Sequence, residues 1–202
     1  MMKPIFVTGI GTDVGKTIVS AILVEQMQAD YWKPIQAGEL DNSDTIKVKQ
    51  LVSNPISVFH REAYRLTQPF SPHKAAALDG VEIDFKKIRV PKTDNQLIIE
   101  GAGGLMVPLN NTHLVIDLIG KLDAEVILVS RNYLGSINHT LLSVEALIGR
   151  GIHIRAIVFN GDADEYTENI IREQTRHEIA VCHITHMPVI DRNSIRSQKI
   201  DL

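Results

Sequence analysis

Four short runs of apolar, mostly β-branched residues punctuate the chain: IFVT from Ile5, LIIE from Leu97, EVILVS from Glu125 and IRAIVFN from Ile154. None alternates polar with apolar, which is how strands covered on both faces of a parallel sheet read. Between them the apolar spacing changes to three and four residues. Lys16 to Gln28 sets Ile18, Val19, Ile22, Leu23 and Met27 at those intervals, and Ser136 to Ile148 and Glu165 to Thr175 behave similarly, so three helices are predicted there. A further strand is expected over YWKPI, Tyr31 to Ile35, closed or confined to its end by Pro34, because proline cannot donate to a ladder. This alternation predicts an α/β three-layer sandwich, a mostly parallel central sheet wound with right-handed crossovers. Thr67 to Pro91 is the least regular stretch, with SPH at Ser71 to His73 reading as an N-cap and a first-turn proline. No repeat, low-complexity tract or linker cuts the chain, so residues 1–202 are expected to form one domain. A domain of that size buries roughly 70% of the surface its unfolded chain exposes.

Charge narrows the choice of partners. A formal net charge of -3 offers no basic field for nucleic acid or acidic lipid, so small molecules are the expected ligands. Cys182 is the single cysteine and cannot form an internal disulfide; His183-x-x-His186, the nearest approach to a metal spacing, reads as two loop or strand-edge histidines. The apolar stretch in MMKPIFVTGIG is too short for a signal peptide, and no run is long enough to span a bilayer. A cytoplasmic location is expected, where the N-x-T triplets at Asn110 and Asn138 carry no weight as glycosylation signals.

Chemistry concentrates first in VTGIGTDVGKT, Val7 to Thr17. A buried strand, a glycine-bearing turn and a helix starting near Lys16 are the context of a phosphate loop, which points to a P-loop NTPase type of fold. Successive backbone N–H groups and the helix N-terminus make an anion site there. Lys16 would reach the terminal phosphates and the Thr17 hydroxyl would sit on Mg²⁺. Against the pattern G-x-x-x-x-G-K-[ST], however, the position five before Gly15 is Ile10, flanked by Gly9 and Gly11. A loop longer by one residue sets Thr12 and Asp13 toward the γ-phosphate and metal region, and a carboxylate there implies a cation or a substrate amine. The plain alternative is a tight turn capped by Asp13.

Three further charges invite the same question. Glu100 closes LIIE and is followed by Gly101, Ala102, Gly103 and Gly104. A carboxylate at the C-terminal end of a buried strand, with close backbone access, suits a second Mg²⁺ contact. Asp44, in DNSDT, reads equally as the first turn of a helix capped by Asp41 or Ser43. Lys33, in WKPIQAG, is either a solvated lysine at a strand end or a charge placed to hold a phosphoryl group.

Taken together, VTGIGTDVGKT, KPIQAG, NSD at Asn42 to Asp44, SPH, EGAGG with the downstream VPL, LGSINH from Leu134 and Asn160 resemble the dethiobiotin synthetases of biotin synthesis, in the family's order from Val7 to about Ile190. The resemblance implies ATP- and Mg²⁺-dependent addition of CO₂ to 7,8-diaminopelargonate. A carbamate forms, is phosphorylated, and is closed by the second amine to a cyclic urea. It implies catalytic roles for Lys16, Lys33 and Thr12, and metal contacts from Thr17, Asp44 and Glu100. Nucleotide contacts are implied for Asp13, Val14, Gly15, Lys16, Thr17, Ile18, Gly101, Ala102, Gly103, Asn160, Pro188, Val189 and Ile190. Substrate contacts are implied for Thr12, Lys33, Ala37 and, from the other subunit of a homodimer, Leu134, Gly135, Ser136, Ile137 and Asn138. Read locally, Leu134 to Asn138 is only a helix start with Ser136 as cap, and Asn160-Gly161 is also a plausible turn.

Two departures and three rivals qualify the resemblance. Ala37 stands where many family members have a serine or threonine, and the C-terminus lacks an obvious acid to clamp the base. A partition-type switch ATPase would carry a lysine five residues before Lys16, where this chain has Gly11. A cobyrinate-type amidating synthetase would bring a glutaminase domain for which the chain is too short. A mere nucleotide-binding scaffold would not need the set Lys33, Asp44 and Glu100.

Overall fold

The computed structural model describes residues 2–202. In chain order its strands are β1 (Ile5–Gly9), β2 (Asp30–Trp32), β3 (Ile35–Ala37), β4 (Phe59–His60), β5 (Tyr64–Leu66), β6 (Leu97–Gly104), β7 (Glu125–Ser130), β8 (Ile154–Asn160) and β9 (Ala180–Ile184). Its helices are α1 (Lys16–Met27), α2 (Asp44–Leu51), α3 (Pro72–Leu78), α4 (Val115–Lys121), α5 (Ser136–Ile148), α6 (Glu165–Gln174) and α7 (Arg192–Ser197). Seven strands form the central sheet in the order β4-β2-β6-β1-β7-β8-β9, and each of its pairings is parallel.

The absence of polar alternation in the strands has a direct cause. Ile5 and Val7 of β1 and Ile98 of β6 pack with Ile22 and Leu23 of α1, Val48 of α2 and Ile195 of α7. Phe6 and Ile99, one residue out of step, face the other way onto Ile116 and Ile119 of α4, Val144 and Leu147 of α5 and Ile171 of α6. Both faces are therefore covered, and the strand period of two sends alternate apolar side chains into two cores. Helix α1 is itself sandwiched, with Val19 to Val24 all buried between the sheet and its neighbours α2 and α7.

Two local expectations are corrected. YWKPI is not one strand: β2 ends at Trp32, and Ile35 opens β3, which pairs in parallel with β5 in a separate two-stranded sheet. Pro34 lacks an N–H to continue the ladder, and its carbonyl accepts from Ala63 and Tyr64, which swings the chain into the second sheet. Ser136 is not the cap of α5. Gly135 holds that position at φ 102°, while Ser136 is buried as the first helical residue, its hydroxyl accepting from the Tyr133 N–H at 3.4 Å. Ser71 does precede α3 with Pro72 in the first turn, yet its hydroxyl pairs with His73 Nδ1 at 3.1 Å instead of a backbone N–H.

From β1 the chain crosses to β2 and β4 on one side, returns through β6, then builds β7, β8 and β9 on the other. The C-terminal ends of β1, β6 and β2 thus meet at a switch point, where an open parallel sheet leaves a crevice. Among the described residues no helix is long and apolar enough to cross a membrane.

Candidate active site

The turn from β1 to α1 is shaped by two glycines. At Gly15, φ is 98° and an added Cβ would fall 1.9 Å from Asn160 Nδ2; at Gly9 it would fall 2.5 Å from Val14 Cγ2 and 2.9 Å from the Gly11 carbonyl. Gly11 would meet nothing within 4 Å. The two sterically required glycines therefore bracket a loop one residue longer than the usual phosphate loop. Asp13 sits at φ 58° inside it and does not cap α1, whose N-cap is Gly15. Asn160, at the end of β8, donates from Nδ2 to the Val14 carbonyl at 3.0 Å, tying the loop to the next part of the sheet.

Lys16 is 8% exposed and donates to the Gly11 carbonyl at 3.0 Å. Burial pulls its pKa below the ordinary lysine value, with Glu100 opposing and Lys33 reinforcing the shift. Thr17 Oγ1, one residue on, donates to Glu100 Oε1 at 3.0 Å.

Glu100 is the hub of the site. The β1–β6 register sets it beside Val7, so its carboxylate emerges just below the loop. Lys33 Nζ donates to the same Oε1 at 3.0 Å and lies 2.5 Å from Asp44 Oδ2. The phenol of Tyr31 donates to Oε2 at 2.9 Å. Burial alone would depress the Lys33 pKa, but Glu100 and Asp44 outweigh it and hold the ammonium above its usual range. For Asp44, burial works upward and Lys33 more than reverses it, leaving the carboxyl below its usual value. Burial, aided by Glu100, drives the Tyr31 phenol well above its ordinary pKa, so it is a neutral donor. Asp44 is the first residue of α2, with Ser43 as the cap accepting from Ile46 at 3.4 Å, and its own N–H is held by Gln36 Oε1 at 3.2 Å. Asp44 is thus a first-turn helical residue, where a carboxylate suits the dipole, and at the same time it faces the cleft.

These groups open into a cavity of about 1020 Å³. It is lined by Thr12, Asp13, Gly15, Lys16, Thr17 and Ile18 from the loop and α1, by Lys33, Ala37 and Asp44, by Glu100, Ala102 and Gly103, and by Ile190. Val14 is buried behind the loop, and Gly101 packs against Phe6, its carbonyl 3.5 Å from Lys33 Nζ. Asn160, Pro188 and Val189 are not in its lining, nor are residues 134–138, of which Leu134 is fully exposed. The wall also contains Gln36, Glu39, Lys47, Gln50, Pro69 and Phe70, which the sequence reading did not single out. Tyr31 was missed as well, although it lies two residues before Lys33, the strand interval that puts side chains on one face.

Oxygen donors on Thr17, Asp44 and Glu100 suit a hard cation, and the ammonium of Lys33 between both carboxylates shows that the pair accommodates positive charge. Among the described residues no three His, Cys, Asp or Glu gather as a metal cage. Mg²⁺ held by one or two carboxylates and substrate phosphates needs none.

Comparison with known proteins bears on this site. A protein-family model described as an AAA domain matches residues 3–194. A relative from Christiangramia forsetii named ATP-dependent dethiobiotin synthetase BioD is 55% identical, the match covering 97% of this chain and 94% of the relative. A relative of the same name from Cytophaga hutchinsonii is 49% identical, covering 100% and 97%. Among solved structures, a ParA family ATPase from Chlorobium tepidum superposes with a TM-score of 0.58 at 11% identity, covering 97% of this chain and 90% of that one. The signal recognition particle receptor FtsY from Elizabethkingia anophelis, in complex with GDP, gives 0.55 at 15% identity, covering 100% and 62%. At such identities the two solved structures establish the fold alone, an α/β sandwich around a parallel central sheet.

Proposed function

This chain belongs to the family of ATP-dependent dethiobiotin synthetases, and from that premise we propose how its cleft does the work. The enzyme is an ATP-dependent cyclo-ligase that closes diaminopelargonate to dethiobiotin. One amine nitrogen attacks CO₂ and loses a proton, giving a carbamate. A carbamate oxygen attacks the γ-phosphorus and ADP leaves. The second amine then attacks the carbonyl carbon of the mixed anhydride, phosphate departs, and a proton is lost as the cyclic urea forms.

In this reading Lys16 and Lys33 hold the transferring phosphoryl group and the carbamate, each as a buried cation already in place. Buried, preorganised charge stabilises a transition state without reorganisation during the reaction. Thr12 lies between the carbamate and the phosphate, and Asp13 faces an amine; both line the same wall. Thr17, Asp44 and Glu100 would hold Mg²⁺, which supplies charge neutralisation on phosphate oxygens. Ala37 offers no side-chain hydroxyl, so substrate contact there falls to the backbone. Asn160 and Ile190 are assigned to the adenine end, one fixing the loop through Val14 and the other lining the cleft.

We assign the working enzyme as a homodimer in the cytoplasm. The segment Leu134 to Asn138 lies outside its own cleft and carries exposed Leu134 and Ile137, with Tyr133 and Leu142 exposed beside them. Exposed apolar residues grouped in this way suit a subunit contact, through which a second copy presents its α5 N-terminus to the substrate carboxylate.

The observation that carries the whole reading is the Lys33 ammonium held between Asp44 and Glu100 at the floor of the cleft. The test is incubation of the purified protein with diaminopelargonate, bicarbonate, Mg²⁺ and ATP, followed by mass spectrometry for dethiobiotin. Phosphate release indifferent to the diamine would point to a switch ATPase instead.

A further inference from the structure

Tyr31 is fully buried, and its phenol meets a carboxylate that is itself 1% exposed. The pairing of β2 with β6 explains the contact. Register Tyr31↔Ile98 and Trp32↔Ile99 brings Lys33 level with Glu100 one step later, and the strand period puts Tyr31 and Lys33 on the same face. Strand β2 and the residue that follows it thus grip the two oxygens of one carboxylate separately: Lys33 takes Oε1 and Tyr31 takes Oε2. Thr17 also uses Oε1. Among the described residues, Tyr31 is the one hydrogen-bond donor to Oε2.

We propose that Tyr31 is a positioning residue for the metal-binding carboxylate: by tethering Glu100 Oε2 it fixes the rotation of the carboxylate and presents Oε1 to the cleft. The inference rests on the assignment of Glu100 as a Mg²⁺ ligand made above. A carboxylate has about four lone-pair positions and no intrinsic preference for which oxygen faces outward. Without the phenol, Oε2 is a buried acceptor with no partner, and the cheapest remedy is rotation of the group toward Lys33. That rotation withdraws Oε1 from the place shared with Thr17. A group that orients a metal ligand from behind changes metal affinity by roughly 10- to 100-fold when removed.

Tyr31 also has a packing role, its ring tilted against Phe59 with centroids 6.0 Å apart, so the test must separate packing from positioning. Tyr31→Phe keeps the ring and removes one oxygen. Calorimetric titration with ADP, with and without Mg²⁺, is the direct readout, and initial rates against free Mg²⁺ are the second. Positioning predicts that half-saturating Mg²⁺ rises about tenfold, that the gain in ADP affinity from Mg²⁺ shrinks, and that kcat at saturating Mg²⁺ changes by less than about threefold. A variant that melts earlier but keeps the wild-type Mg²⁺ dependence overturns the proposal and leaves Tyr31 as core. Glu100→Gln is the control for the premise. If it too keeps wild-type Mg²⁺ dependence, the metal assignment of Glu100 fails and this proposal with it. If it loses that dependence while Tyr31→Phe does not, Tyr31 alone is excluded. In the double variant, Tyr31→Phe should add nothing further to the Mg²⁺ shift, because the tether then has no carboxylate to orient; a full additional shift contradicts it.

Discussion

Strand β2 carries a buried charge near each end, and the two are handled in opposite ways. Asp30, 2% exposed, accepts from the Val58 N–H at 2.9 Å and Asn95 Nδ2 at 3.1 Å on one oxygen, and from Thr93 Oγ1 at 2.7 Å on the other, where His60 Nε2 also lies at 3.0 Å. All four lone-pair positions are used, and three of the partners are neutral amides or a hydroxyl. Lys33, just past the other end, is held by charges, and its partners Asp44 and Glu100 line an open cavity. A carboxylate saturated by partners from two segments of the chain, Val58 and His60 at β4 and Thr93 and Asn95 ahead of β6, is a clasp. Charges that satisfy one another across a cleft can exchange partners with a ligand, and that difference, more than burial, separates structure from chemistry in this protein.

The largest effect that would test the contrast is expected from Lys33→Ala. Removing one oxyanion-type cation should lower the rate of dethiobiotin formation by at least about 10²-fold. It should also lower stability by up to about 3–5 kcal/mol, because Glu100 is left buried without its cation, whereas partly exposed Asp44 keeps Lys47 at 3.8 Å. Steady-state rates and thermal unfolding of the same preparation check both; unchanged turnover would remove Lys33 from the mechanism. Next comes Gly15→Ala. Its Cβ would lie 1.9 Å from Asn160 Nδ2 at a φ of 98°, so the loop must shift, and ADP affinity by calorimetry should fall on the order of tenfold or more. Gly11→Ala, which would meet nothing within 4 Å, should bind as wild type, and equal losses at both positions would refute the assignment of the required glycines.

The sheet and the loop were legible because each is written locally. Runs such as EVILVS and the Gly15-Lys16-Thr17 turn need only neighbours in sequence to be recognised. Asp44 and Glu100 were readable as candidates, but their meeting through Lys33 depends on pairings between elements more than fifty residues apart in sequence. Tyr31 escaped because a tyrosine in an apolar run reads as core, and its oxygen gains a meaning only when β2 is set beside β6. The Ser136 cap failed for a different reason. Serine is favoured at such positions, yet Gly135 takes the left-handed conformation that this turn demands, which serine does not adopt readily.

A clasp should fail differently from a site. Asp30→Ala orphans the Val58 N–H and the polar groups of Asn95, Thr93 and His60 around a buried position. A loss of about 1–3 kcal/mol is expected, read as a lower midpoint in urea. Turnover per folded molecule and the KM for ATP should stay within about twofold, since Asp30 is not part of the cleft wall. A fall in kcat comparable to that of Lys33→Ala would erase the distinction between the two ends of β2.

The smallest effect is in the acid range and is specific to Asp30. Burial works to raise the pKa of its carboxyl, but hydrogen bonds from Thr93, Val58, Asn95 and His60 outweigh burial and hold it below the ordinary aspartate value. A carboxyl whose folded pKa is depressed contributes stability that is fully present above the unfolded value, about 3.9. That contribution is lost as pH falls from there through the lower folded value, because the unfolded chain then binds the proton first. Asp30→Asn preserves the shape and keeps one acceptor for Val58 and Asn95, while the Thr93 hydroxyl can rotate to accept from the new amide. Stability at pH 7 should therefore drop by less than for Asp30→Ala, and the fall in unfolding free energy below about pH 4 should become shallower than in the wild type. Urea unfolding at closely spaced pH values reads both quantities. An unchanged acid slope in Asp30→Asn would mean that the clasp does not hold its proton affinity down, and that the neutral donors around it contribute packing alone.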